Sequence, residues 1–328
     1  MMELGMTHGW RLWCGVAALA ALVWACDATS PTAGIDRGGV RTPVAAQGPI
    51  EAFGSIVIGG VHYDLGGAAV RVDGGLVAES DLALGQVVTV AGTRAEGEVR
   101  VRAETVVATT NVQGPVSALD IAAGTVVVLG QPIATTATTV YVLGTNAPSL
   151  ASLHVGDIVR VSGLVGAAGA VEATRIERRP VGSEFRVLGT AANVDTAAAR
   201  FTLNALEVSY AAAVSIEDFP RGQPANGDVI VAVGTALGPN GELLARTLER
   251  RGVEIEEREG REIEIEGFIT RFVSSLDFDV AGVLVTTTAT TEFEHGSAAD
   301  LRLDLKVHVK GRVNAAQQLE AREVEIDD

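Results

Sequence analysis

The chain has 328 residues, 47 % of them hydrophobic and only 4 % aromatic, which is enough for several small aliphatic cores but not for cores built on stacked rings. Its formal net charge is −16, with Lys306 and Lys310 as the two lysines, so it lacks the phosphate neutralisation from which nucleic-acid binding draws most of its affinity. Anionic lipid head groups would also repel it unless a covalent tether held it at the membrane.

From the N-terminus, His8 and Arg11 precede an apolar run from Leu12 to Ala25 that stops at Cys26-Asp27. The run is too short for a comfortable membrane span and has the pattern of a secretory signal followed by a cleavage site. The junction Leu22-Val-Trp-Ala-Cys26 resembles a bacterial lipobox. That resemblance implies removal of residues 1–25 and lipidation of Cys26, with several acyl chains giving durable anchoring. An ordinary signal peptide with an incidental cysteine, or a retained signal anchor, are the alternatives. Cys14 would leave with the signal, so Cys26 would be the one thiol of the mature chain and no internal disulfide could form. Residues 26–47 are rich in Ala, Thr, Pro, Gly and Ser without periodicity, and read as a flexible tether.

Beyond the tether the chain repeats itself. Gly85-Gln-Val-Val-Thr-Val-Ala-Gly92, Gly156-Asp-Ile-Val-Arg-Val-Ser-Gly163 and Gly227-Asp-Val-Ile-Val-Ala-Val-Gly234 recur at a period of 71 residues, and Asp304-Leu-Lys-Val-His-Val-Lys-Gly311 is a fourth copy. A period this long marks one folding unit used four times, giving repeats over 48–111, 112–180, 184–252 and 260–328. Each unit opens with Gly and alternating apolar residues, as in Gln47-Gly-Pro-Ile50 and Gln113-Gly-Pro-Val116. The even repeats share a Thr-rich stretch, Thr135-Thr-Ala-Thr-Thr139 and Thr287-Thr-Ala-Thr-Thr291, of high β propensity. The phrase quoted above supplies the next strand, with its valines on one face. A closing strand then carries a small residue at Ala103, Ala173, Ala245 or Ala321, where a taper or close strand crossing demands little bulk.

Five or six short strands per unit, without a convincing helix, predict an all-β chain of four tandem small barrels, whose closure would remove aggregation-prone edges. The combined pattern of Gly-x-Ile/Val, Thr-Thr-Ala-Thr-Thr, Leu/Val-x-Val-x-Val-x-Gly and Leu-x-Ala-x-x-Val-Glu resembles a domain-of-unknown-function family of tandem OB-like β-barrels in bacterial lipoproteins. The likeness is strongest over Gln113–Arg178 and Glu262–Asp328. It implies an OB-like fold and an envelope location, and brings no site residues with it.

The chemistry-bearing residues are sparse. His62, His154, His295 and His308 stand in unrelated contexts, without ligand spacing, and His308, between Val307 and Val309, is expected to face solvent. The acidic run Glu254, Glu256, Glu257, Glu259, Glu262, Glu264 and Glu266 invites a calcium reading. Strand alternation instead places Glu262, Glu264 and Glu266 along one face, as a solvated hairpin between repeats 3 and 4. No cofactor, metal site or catalytic residue is therefore expected. The function that fits is a non-catalytic binding or scaffolding lipoprotein of the cell envelope, facing the periplasm, with a protein or glycan partner and no nucleic acid. The alternative is an envelope hydrolase or accessory subunit, directed at glycans, that uses carboxylates on one repeat.

Overall fold

In each Gly-to-Gly phrase the alternating aliphatic residues are fully buried, Val88 and Val90, Val159 and Val161, Ile230 and Ala232, Val307 and Val309, so each phrase is a strand with one face in a core. The computed structural model describes residues 41–251, 255 and 258–327. The expected signal peptide 1–25, Cys26, most of the tether, and Glu254, Glu256 and Glu257 lie outside the described residues.

Repeat 1 comprises β1 (Arg41–Pro49), β2 (Ile56–Ile58), β3 (Val61–Asp64), β4 (Ala69–Val72), β5 (Gly75–Leu76), β6 (Val87–Ala95) and β7 (Val101–Ala108). Repeat 2 has β8 (Val112–Asp120), β9 (Thr125–Val128), β10 (Gln131–Val142), β11 (Ile158–Val165) and β12 (Val171–Arg178). Repeat 3 has β13 (Phe185–Asp195), β14 (Arg200–Leu203), β15 (Leu206–Ser209), β16 (Ser215–Glu217), β17 (Val229–Leu237) and β18 (Leu243–Arg251). Repeat 4 has β19 (Glu262–Ser274), β20 (Asp277–Val280), β21 (Val283–Thr286), β22 (Glu292–Glu294), β23 (Lys306–Val313) and β24 (Leu319–Ile326). Strand accounts for 57 % of the described residues and no α-helix occurs among them, so the all-β expectation holds.

The expectation of four self-contained OB-like barrels in tandem does not. The strands run on from repeat to repeat in two sheets, one of 13 strands from repeats 1 and 4 and one of 11 from repeats 2 and 3, as a β-solenoid of stacked coils. Within the coils of repeats 2, 3 and 4, the first strand runs antiparallel to the second and to the next-to-last strand, and the last strand runs parallel to the third. Repeat 2 shows this in β8 with β9 and β11, and in β12 with β10. The first strands then reach beyond their own repeats: β1 pairs in parallel with β19, and β8 pairs antiparallel with β13. Residue alternation specifies which face of a strand is buried, but not which neighbour takes its edge. The same pairing corrects the tether, which ends before Arg41 because Val44, Ala45 and Ala46 are buried between β6 and β19.

The recurring glycines have two distinct causes. Gly85, Gly156 and Gly227 open the phrase with φ of +78°, +93° and +88°, a left-handed turn that Asp304 adopts at +59° in the fourth repeat. The glycine that ends the phrase sits at a β-bulge, where the register shifts at Gly92, Gly163, Gly234 and Gly311. Each faces the small alanine of the closing strand, Ala103, Ala173, Ala245 or Ala321. A Cβ at these four positions would collide with the carbonyl oxygens of Arg102, Glu172, Leu244 and Glu320. The close strand crossing read from the alanines is thus present in every repeat.

The Thr-rich stretch is less a strand than a clamp. In repeat 2, Thr136 N–H donates to Thr139 Oγ1 at 2.9 Å, and Thr139 Oγ1 donates to the Ala173 carbonyl at 2.7 Å. Repeat 4 reproduces this with Thr288 N–H to Thr291 Oγ1 at 2.8 Å and Thr291 Oγ1 to the Ala321 carbonyl at 2.6 Å. The hydroxyl therefore donates to the carbonyl of the alanine that faces the bulge glycine. Residues 287–291 of repeat 4 lie between β21 and β22, outside any strand.

Three cores result. One cluster runs through repeats 2 and 3 together, from Val112 to Leu248. Repeat 4 has its own core, to which β1 lends Ala45, and repeat 1 has a third. The described residues of the four repeats form one compact unit.

A candidate binding cleft between the first and fourth repeats

The β19 sequence Glu-Ile-Glu-Ile-Glu meets β23, Lys-Val-His-Val-Lys-Gly-Arg, in antiparallel register: Glu262 opposite Arg312, Glu264 opposite Lys310, Glu266 opposite His308. Two strands with complementary alternating charge thus pair across one face. The parallel strand β1 and the end of β6 border this face from repeat 1, and a cleft of about 830 Å³ opens along it.

Its charged walls are tied together. Glu262 accepts from Arg94 Nη1 of repeat 1 at 3.0 Å and from Arg312 Nη2 of repeat 4 at 2.9 Å. Lys310 Nζ donates to Glu323 Oε1 at 2.8 Å. Burial disfavours the Lys310 charge, but Glu323 outweighs it and holds the ammonium above its ordinary pKa. Lys310 in turn holds the Glu323 carboxyl below the usual range.

Deeper in, Glu264 is 7 % exposed. His308 Nε2 lies 3.0 Å from its Oε1, as an ion pair without directed hydrogen-bond geometry, and His308 Nδ1 lies 3.7 Å from Glu325 Oε2. Burial pulls the His308 pKa down, yet the Glu264 charge prevails and holds it above its ordinary value. The Tyr63 hydroxyl is buried without a hydrogen-bond partner, and burial, helped by the Glu264 charge, pushes the phenol pKa up. At the far end of β19, Lys306 Nζ gathers Asp327 at 2.9 Å, Glu266 at 3.2 Å and Glu172 of repeat 2 at 3.3 Å. These carboxylates overcome the burial penalty and raise the Lys306 pKa. The two lysines of this acidic chain are thus both held by carboxylates, one of them across a repeat boundary.

Three of the four histidines fall where expected. His62 is exposed, its Nδ1 2.9 Å from Ser55 Oγ, while His154 and His295 are 80 % and 65 % exposed at the side chain. His308 is the exception. Expected in solvent, its side chain is 15 % exposed, because the β23 face opposite the core is covered by Glu264 and Glu325. The solvated hairpin expected for Glu262–Glu266 is likewise replaced by a strand whose carboxylates pair with cations of repeats 1 and 4. No set of three or more His, Cys, Asp or Glu side chains arranged to hold a metal ion occurs among the described residues.

Three segments, residues 47–106, 113–177 and 266–325, match the family described as Domain of unknown function (DUF5666), and together they make up more than half of the chain. The chain belongs to this family. No curated protein and no solved structure matches it. Repeat 3 falls outside the matched segments, yet it has the same bulge glycine and closing alanine, Gly234 and Ala245, as the three DUF5666 segments. The positions that the four repeats share are accordingly those that the coil needs for its turn, bulge and buried face. The charged walls of the cleft, Arg94, Glu262, Lys310, Arg312 and Glu323, come from repeats 1 and 4. Sequence reasoning missed Arg94, Lys306 and Lys310 as its partners. The available signal was the alternation of positive residues along β23, matching in period the glutamates along β19.

Proposed function

We propose that this DUF5666 protein is a cell-envelope lipoprotein, anchored through Cys26 and facing the periplasm, whose repeats form a non-catalytic binding or scaffolding body. The observation that carries the binding half is the cleft between repeats 1 and 4. It is an open, polar concavity, whose acids and bases are engaged with one another rather than poised beside a nucleophile. Its ligand is a polar partner, an envelope protein segment or a glycan, able to exchange hydrogen bonds with the paired glutamates, arginines and Lys310. The anchoring half is supported by the lipobox-like junction at Ala25-Cys26.

Replacing Cys26 with Ser tests the anchor: the variant should leave the membrane fraction or stall in processing. Normal processing with full membrane retention would remove the lipid from the reading. The purified protein should also give background rates in broad hydrolase screens. Turnover abolished by Glu264→Gln would transfer the protein to the glycan-hydrolase reading instead.

A further inference from the structure

A second cavity, of about 660 Å³, lies where repeats 1, 2 and 3 meet and shares no lining residue with the cleft. Four guanidinium groups line it, Arg160 from β11, Arg175 from β12, Arg179 just beyond β12, and Arg186 from β13. In a chain with 16 more formal negative than positive charges, that convergence is unusual. Two of the four are already taken: Glu177 accepts from Arg179 Nη1 at 2.7 Å and from Arg175 Nη2 at 3.2 Å.

Arg160 and Arg186 are held differently. Arg160 Nε donates to Gln113 Oε1 at 2.8 Å, and Gln113, itself 3 % exposed, is fixed by donating from Nε2 to the Glu184 carbonyl at 2.8 Å. The head group is thus oriented by a neutral, buried amide rather than by a carboxylate. Arg186, with an 11 % exposed side chain, has Glu184 Oε1 at 3.5 Å. The carboxylate facing both is Asp73, and it stands off: Arg160 Nη2 and Arg186 Nη1 are each 3.9 Å away, beyond hydrogen-bond reach. Asp73 spends its two oxygens on repeat 1, accepting from Thr110 N–H and Thr110 Oγ1 at 2.8 Å each. Asp81, also on the wall, accepts from Ala78 N–H in its own turn at 3.0 Å. Two largely buried guanidinium groups therefore face the cavity, Arg186 donating a long hydrogen bond to Glu184 at 3.5 Å and both standing 3.9 Å from Asp73.

We infer that this cavity is a binding site for an oxyanionic group, a phosphate ester or a sugar carboxylate, gripped between Arg160 and Arg186. The planar fork of a guanidinium matches such oxygens in a bidentate manner, and burial limits the screening that weakens surface charge pairs. Gln113 acts as a positioning residue, setting the angle of Arg160. Asp73 competes electrostatically with the ligand and sets its affinity. The inference is independent of the lipid anchor and of the cleft between repeats 1 and 4.

The test is isothermal titration of the detergent-solubilised full-length protein with inorganic phosphate, with glucuronate, and with chloride at matched ionic strength. Saturable binding of phosphate or glucuronate over chloride is expected, and the tighter of the two names the source of the oxyanion. Arg186→Gln and Arg160→Gln should each weaken it at least tenfold. Asp73→Asn, which keeps an acceptor for Thr110 but removes the competing charge, should tighten it several-fold. That gain separates a ligand site from arginines that serve only the fold. Glu207→Gln, an exposed position that lines neither cavity, should change nothing. Heats equal to those of chloride with unchanged far-ultraviolet circular dichroism, an affinity indifferent to Arg186→Gln, or weaker binding by Asp73→Asn would each overturn the site.

Discussion

Repeats 2 and 3 and repeats 1 and 4 are joined by opposite means. Between 2 and 3 the strand pairing is brief, Gln113 with Arg186 and Val112 with Val187, but the apolar interior is continuous and contains Val128, Leu129, Phe201 and Leu206 together. The turn at Gly130 presses against the backbone of Leu206, and Gln131, buried, donates to the Leu203 carbonyl at 3.0 Å. Between 1 and 4 the pairing is longer, Val44–Gln47 alongside Glu262–Ile265, yet the cores remain separate and the walls are ionic. A shared apolar core couples two repeats strongly and indifferently to salt. A strand pair with half-exposed ion pairs couples them weakly and responds to salt and pH. The same repeat, used four times, therefore yields one rigid pair and one pair joined at a cleft.

The largest effect should come from emptying the cores. Phe201→Ala removes a ring that is 1 % exposed from the shared cluster and should cost about 3–5 kcal/mol. Hydrogen exchange should then speed up in repeat 2 as well as in repeat 3. Phe278→Ala, in the core of repeat 4, should cost a similar amount while leaving the repeat 1 core amides protected. Loss of protection confined to repeat 3 in the first variant would break the comparison.

Next in size is Glu262→Ala, which removes the carboxylate shared by Arg94 and Arg312. The side chains are about one quarter to three fifths exposed, so after solvent screening the loss should be about 1 kcal/mol. Denaturation curves of wild type and variant should converge as sodium chloride is raised to about 1 M, where the Debye length falls to roughly 3 Å. A difference that persists in high salt would mean that the junction is held by packing after all.

The smallest effect is in pH. The folded-state pKa of His308 lies above its ordinary value of 6.5. Its contribution is therefore fully present below about 6.5 and is lost as pH rises through the raised folded value. Asp157 in repeat 2 and Asp228 in repeat 3, like Glu323 in repeat 4, have the opposite sign. Burial alone would raise the Asp157 and Asp228 pKa values, but the His154 amide and Arg178 at the first, and Arg250 and the Ala225 amide at the second, hold them below 3.8. Their contribution is present above 3.8 and is lost as pH falls through the lowered folded values. Thermal melts of His308→Gln should lose the decline between neutral and alkaline pH while keeping the acid one. An unchanged alkaline decline in that variant would detach His308 from the junction.

Much of this could be read in advance because it is local. The turn at Gly156, the small Gly163 and its small partner Ala173 meet local backbone requirements, and every repeat supplies their equivalents. His308 was misplaced for the converse reason. Its neighbours Val307 and Val309 show that it points away from the core, but what covers that face arrives from β19, more than 40 residues earlier in the chain. The anion cavity was equally invisible, because Asp73, Gln113, Arg160 and Arg186 come from three repeats and share no local pattern.

By itself, the sequence determined that the chain is all-β, that one unit recurs four times, and where each unit turns, crosses closely and buries its valines. These follow from φ preferences, side-chain alternation and excluded volume, all of which act within a few residues of one another. The tertiary structure alone decided that the units stack as a solenoid rather than close as separate barrels, and that they join as 1 with 4 and 2 with 3. It also decided which carboxylates meet which cations. Strand edges and charges can be satisfied by any partner of the right kind, so the choice among partners is made only when the whole chain packs.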